Sequence, residues 1–96
     1  MQVFVILGKL THKAIENMKG AKERVTIGEQ IIKAAGGKLI SHYYTFGRYD
    51  FVLIVEMPSP EALAKFLIEF GKLGTVSTET MTALLPEQVY KVAMDT

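Results

Sequence analysis

The stretch Lys38-Leu39-Ile40-Ser41-His42-Tyr43-Tyr44-Thr45-Phe46-Gly47-Arg48-Tyr49-Asp50-Phe51-Val52-Leu53-Ile54-Val55-Glu56-Met57 decides the fold. It is rich in Ile, Tyr, Phe and Val, which suit a pleated surface, and its only break is Gly47-Arg48. It reads as two strands, Lys38 to Phe46 and Tyr49 to Met57. A glycine at the first central position predicts a tight type II′ turn between them. With that turn Phe46 faces Tyr49, Tyr44 faces Phe51 and His42 faces Leu53. Ser41, Tyr43, Thr45, Asp50, Val52, Ile54 and Glu56 then share the other face, and a slip of one residue would exchange the two.

On the amino-terminal side, Gly36-Gly37 stops a helix in the manner of a left-handed cap. Ala21, Val25, Gly28, Ile32 and Ala35 recur at steps of three and four along that helix, so they share one face. Before it, Lys9 to Lys19 is polar, Thr11 can cap a short helical turn, and Gly20 breaks the stretch. The chain opens with a strand from Val3 to Leu7 that Gly8 is expected to end.

On the carboxyl side, Ser59-Pro60-Glu61 marks a helix start: Ser59 caps, Pro60 needs no partner for a missing N–H, and Glu61 meets the positive dipole end. Ala62, Leu63, Phe66, Leu67 and Phe70 form its apolar stripe, and Gly71 and Gly74 end it. Thr75 to Leu84 reads as a fourth strand, Pro86 breaks it, and residues 87–96 fit either a short helix or a strand.

The order β-α-β-β-α-β predicts an α+β, ferredoxin-like fold: a four-stranded antiparallel sheet with two helices on one face. Val52, Ile54, Val76 and Leu84 are expected opposite Phe51, Leu53 and Met81, which makes both faces apolar. Two helices cover only one of them. The bare face implies a partner, most simply a second copy paired sheet to sheet. Length supports the same expectation, because a single domain over residues 1–96 buries only about 60–70 % of its unfolded surface and gains from association.

Composition excludes several classes. There is no cysteine, hence no disulfide, thiolate metal site or cysteine nucleophile. Apolar residues make up 49 % of the chain, but in runs too short to span a bilayer. Residues 1–7 read as a strand rather than a secretory leader, so the expected location is cytoplasmic. The net charge of +1 supplies no long-range field for nucleic acid. Charge is unevenly placed, however: residues 1–48 hold eight Lys/Arg against three Glu, and the rest holds three Lys against seven Asp/Glu. Solvated helix faces or complementary subunit surfaces both account for this. No glycine-rich phosphate loop and no metal-ligand cluster appears, so neither cofactor nor metal is expected.

Several of these residues form a familiar pattern: Leu7-Gly8-Lys9 with Thr11, Gly36-Gly37, Gly47-x-Tyr49-Asp50, and Gly74 followed by Thr78-Glu79-Thr80. Over most of its length the chain resembles the GYD domain family, named for that hairpin motif and grouped with the dimeric α/β-barrel superfamily. The resemblance implies a dimeric α/β barrel and carries no established activity. Residues 45–85 also resemble the effector domain of leucine-responsive regulators, which bind amino acids between subunits. The helix-turn-helix that precedes such domains is absent here, so direct nucleic-acid binding is not expected.

The candidate ligand-binding residues are Arg48, Tyr49, Asp50, His42, Tyr44, Glu56 and Thr80. Tyr49 and Asp50 set a phenol and a carboxylate beside a turn, where they could bind a ligand or fix the hairpin through backbone N–H groups. Arg48 could clamp a carboxylate or remain solvated. His42, next to Tyr43 and Tyr44, could work as an acid or base if it opens into a cavity, or be packed and hydrogen-bonded. His12 has no ligand partner in sequence. Glu56, inside an apolar strand, must be paired, raised in pKa or solvated, and with Glu79 it could supply acid–base function. Thr80 stands for a hydroxyl-rich strand.

The expected function is a homo-oligomer that binds a small molecule at or near a subunit interface. A cofactorless enzyme using His42 or Glu56, of isomerase or monooxygenase type, and a purely structural module are the alternatives.

Overall fold

A computed structural model describes residues 1–96. The elements are β1 (Gln2–Leu10), α1 (His12–Glu16), α2 (Ala21–Ala34), β2 (Lys38–Tyr44), β3 (Phe51–Met57), α3 (Pro60–Gly71), β4 (Val76–Ala83) and α4 (Pro86–Met94), with a 3-10 turn over Met18–Gly20. The sheet is antiparallel with order β2-β3-β1-β4, the ferredoxin-like arrangement.

The hairpin registers Tyr44 with Phe51 and His42 with Leu53, as the alternation predicts. A bulge between Leu39 and Ser41 sets the Lys38 end off by one residue. Phe51, Leu53, Val55 and Met57 are buried, while Val52, Ile54 and Glu56 between them are half-exposed. The core therefore lies on the first face: Phe4, Ile6 and the β3 residues meet Ile32 of α2 with Leu63 and Phe66 of α3. At α1 and α3 a side chain caps the start, and at α2 a glycine closes the end. Thr11 Oγ1 accepts from the Ala14 N–H (3.3 Å) and Ser59 Oγ from the Ala62 N–H (3.1 Å). Gly36 closes α2 in the left-handed region at φ 85°.

Three sequence expectations need correction. β1 does not end at Gly8 but runs on to Leu10. Gly8 is required there because a Cβ would stand 2.0 Å from Phe51 Cζ, so the ring lies directly on the strand backbone. The hairpin turn is not a two-residue type II′ turn: residues 45–50 form a wider loop closed by a bond from the Thr45 N–H to the Asp50 carbonyl (2.9 Å), and Phe46 is fully exposed. Gly47 does not adopt positive φ, and Asp50 is also tied to β1, its N–H donating to the Gly8 carbonyl (2.7 Å). Val76 and Met81 exchange faces relative to expectation. Val76 pairs with Leu10 and packs on the core, whereas Met81 pairs with Val5 on the uncovered side. The carboxyl segment, for which the sequence allows either a helix or a strand, is a helix over residues 86–94, with Pro86 in its first turn and Gln88 Oε1 accepting from the Leu85 N–H (2.8 Å).

The second face of the sheet has no helix on it. Val3, Val5 and Leu7 of β1 pair there with Glu56, Ile54 and Val52 on one side and with Ala83, Met81 and Glu79 on the other. No helix is long and apolar enough to cross a membrane.

Candidate functional site

The residues singled out in the sequence fall on opposite faces of the sheet. Alternation forces this split: His42 and Tyr44 share parity with the buried side of β3, whereas Glu56 has the other parity. Thr80 pairs with Ile6, which places it on the helix side but away from His42, since β1 and β3 lie between.

On the helix side, His42 and Tyr44 edge a cleft between α2 and the sheet. Its walls are largely apolar, with Ile32, Leu53, Phe51, Phe66 and Phe70 among them, and it encloses a cavity of about 50 Å³. That is room for a few waters or a small apolar group. The His42 ring lies 4.8 Å from that of Tyr44 and 6.4 Å, edge-on, from that of Phe51. Burial pushes the imidazole pKa below 6.5, against a weaker opposing pull from the Glu29 carboxylate. The neutral ring is therefore the form present near pH 7, and no side chain of the protein hydrogen-bonds it. Arg24, also at the cleft, is committed to the carbonyls of Asn17 (2.6 Å) and Ala14 (3.2 Å), where it caps α1.

On the uncovered side, the 45–50 loop curls over the end of the sheet and borders an open depression of about 250 Å³ floored by Leu7 and Val52. The Tyr49 hydroxyl donates to Glu79 Oε2 of β4, and that bond pushes the phenol pKa above 10.0. Glu79 is the site residue that single-strand reasoning undervalued. Its signal was parity: it shares a face with Leu7 and Val52, one row from the loop. Arg48 is exposed at the loop tip. Asp50 has a structural partner, since its Oδ2 accepts from the Leu10 N–H at 2.8 Å and ties the hairpin to β1. Thr45 Oγ1 donates to the Tyr49 carbonyl at 2.6 Å and holds the loop's shape.

Glu56 and Glu79 do not converge. They lie four β1 rows apart, opposite Val3 and Leu7, or about 13 Å along the strand. Within one chain, then, the two carboxylates form no acid–base pair. No group of three His, Asp or Glu side chains is placed to hold a metal ion. His12 instead pairs with Glu16 on the surface of α1, at 2.8 Å.

Comparison with known proteins agrees with this architecture. The GYD domain model matches residues 4–93. A protein of Thermus thermophilus named glutamine synthetase and cystathionine beta-lyase binding protein is 27 % identical over 85 residues, which is 88 % of this chain and 90 % of that protein. Among solved structures, FFRP-DM1 superimposes with a TM-score of 0.62 at 21 % identity, over 88 % of this chain and all of that one. A hypothetical protein of Pyrococcus horikoshii gives 0.61 at 22 %, over 88 % and 92 % of the two chains. MtbAldR gives 0.67 at 16 %, and there the match spans 88 % of this chain but only 52 % of the larger one. These structural likenesses extend to the fold. With the family pattern present over nearly its whole length and its Gly47, Tyr49 and Asp50 seated at the hairpin loop, the chain belongs to the GYD domain family.

Proposed function

We propose that the protein is a non-catalytic binding module that pairs with a second copy through its uncovered sheet face and acts by docking on an enzyme. The observation that carries the reading is that face itself. Val3, Val5, Leu7, Val52 and Ile54 form an apolar surface with no helix over it, and Met81 beside them is 46 % exposed. A chain this small gains most by burying such a surface against its equal, because a two-fold axis makes the patch self-complementary. The docking half rests on the Thermus relative, whose name describes a protein that binds glutamine synthetase and cystathionine β-lyase.

The test is light scattering coupled to size exclusion, on the parent chain and on Ile54→Lys, followed by capture of purified glutamine synthetase on the immobilised parent. The reading expects a parent dimer or multiple of dimers, a monomeric variant with unchanged circular dichroism, and capture by the parent. A monomeric parent would refute the pairing, and an assembled parent that captures no enzyme would refute the docking.

A second reading, small-molecule binding, is supported by the cleft, whose apolar walls surround one unpartnered neutral imidazole. That combination suits a small amphipathic ligand with a single hydrogen-bonding head. It differs from an interface site, since the cleft opens on the helix side of the sheet.

A further inference from the structure

Every residue from Leu84 to Thr96 is exposed, although this segment includes a regular nine-residue helix. Helix α4 is amphipathic. Leu85, Val89 and Val92 follow one another at helical spacing, while Glu87 and Lys91 lie on the far side, together with the exposed Tyr90 and Met94. Leu85, Val89 and Val92 are 59 %, 47 % and 65 % exposed, so the apolar stripe is left open to solvent in its own chain. A helix this short is marginal in water without a surface to pack on.

Its direction is set by the junction. Only Leu84 and Leu85 separate β4 from α4, and Pro86 fixes the first helical φ. The helix consequently projects from the sheet: the molecule is 51 Å along its longest axis, and its radius of gyration of 14.7 Å exceeds the ~12.5 Å of a compact chain of this length. The arm leaves from the margin of the uncovered sheet face, since Met81 and Ala83 at the end of β4 pair with Val5 and Val3 on that side and only Leu84 and Leu85 separate them from α4.

Area points to the occupant. A four-stranded face with strands ~4.8 Å apart and about 25 Å long offers roughly 480 Å² of flat surface. A stable interface buries about 800 Å² per partner. An arm that begins at the margin of the same face adds to the area the sheets can bury and brings the contact closer to that figure.

We propose that α4 is an exchange arm, which lays its Leu85-Val89-Val92 stripe on the second copy so that the sheet-paired dimer is clasped by two reciprocal helices. This rests on the sheet-pairing reading and adds to it a distinct contact. Because Leu85, Val89 and Val92 stand outside the core cluster, substitutions there leave the monomer's core intact.

The experiment is sedimentation velocity across a dilution series on the parent, on Val89→Asp/Val92→Asp, and on Ile54→Lys, with urea unfolding of each as a check on folding. The arm predicts that the double variant raises the dimer dissociation constant at least about tenfold while the urea midpoint, measured where all are monomeric, stays within error of the parent. A parent dimer whose dissociation constant is unchanged in the double variant overturns the arm and leaves sheet pairing standing. A double variant that dimerises normally yet no longer captures glutamine synthetase also overturns it, and assigns the helix to the enzyme partner. A parent monomeric at every concentration overturns both.

Discussion

Gly8 shows how one missing methyl group can set a core. Phe51 Cζ and both Cε atoms would lie 2.0–2.4 Å from a Cβ at this position, so the ring rests on bare backbone and β1 can approach β3 without a gap. In sequence the glycine reads as a strand terminator, because nothing local announces that an aromatic ring from another strand will occupy the space. Overpacking of this kind typically costs about 1–3 kcal/mol. Gly8→Ala is accordingly expected to lower the unfolding free energy in urea by that amount, and the penalty should shrink when Phe51→Leu is added. Equal penalties in both backgrounds would show that the ring is not the cause. His42 is the contrasting case: its face was legible from alternation, but its half-burial depended on α2, which no pattern within β2 reveals.

At the level of the element, the helices were readable because their signals are local. Thr11, Ser59, Pro60 and Gly36 each do at the helix ends what their side chains allow. The hairpin loop was not readable, because its shape is set at long range. Gly47 suggested a tight turn, yet Asp50 gives both its N–H and its carboxylate to β1, forty residues away in sequence, and the loop widens to accommodate that. Asp50 therefore belongs to the joint between hairpin and first strand, and Tyr49 beside it turns the other way, toward Glu79. Removing the carboxylate leaves the Leu10 N–H without its charged acceptor, a loss of about 1.5–3 kcal/mol. Asp50→Ala should destabilise the chain by that amount in urea, and Asp50→Asn, which keeps an acceptor oxygen, by less. An Asp50→Ala chain as stable as the parent would mean that the bond is not formed in solution.

The whole molecule has more apolar surface than its own elements can cover. Strand order and parity put Phe4, Ile6, Phe51, Leu53 and Val55 under α2 and α3, and the same parity puts Val5, Leu7, Val52 and Ile54 on the bare side. That surplus is legible in the sequence as strands apolar on both faces, although the structure exchanges the sides of Met81 and Val76. β4 has few large residues to fix its register, and only its pairing with β1 sets which of its alternating threonines face inward. Candidate site residues were legible as types but not as a group. His42 and Tyr44 edge the helix-side cleft, whereas Tyr49 and Glu79 sit over the sheet face expected to meet a partner.

The most direct measurement of that pairing is an isotope-filtered nuclear Overhauser experiment on a mixture of labelled and unlabelled chains, which registers only contacts between subunits. The pairing predicts intersubunit contacts from the methyl groups of Val5, Val52, Ile54 and Met81. A dimer whose intersubunit contacts come instead from α2 and α3, with those methyls silent, would contradict it.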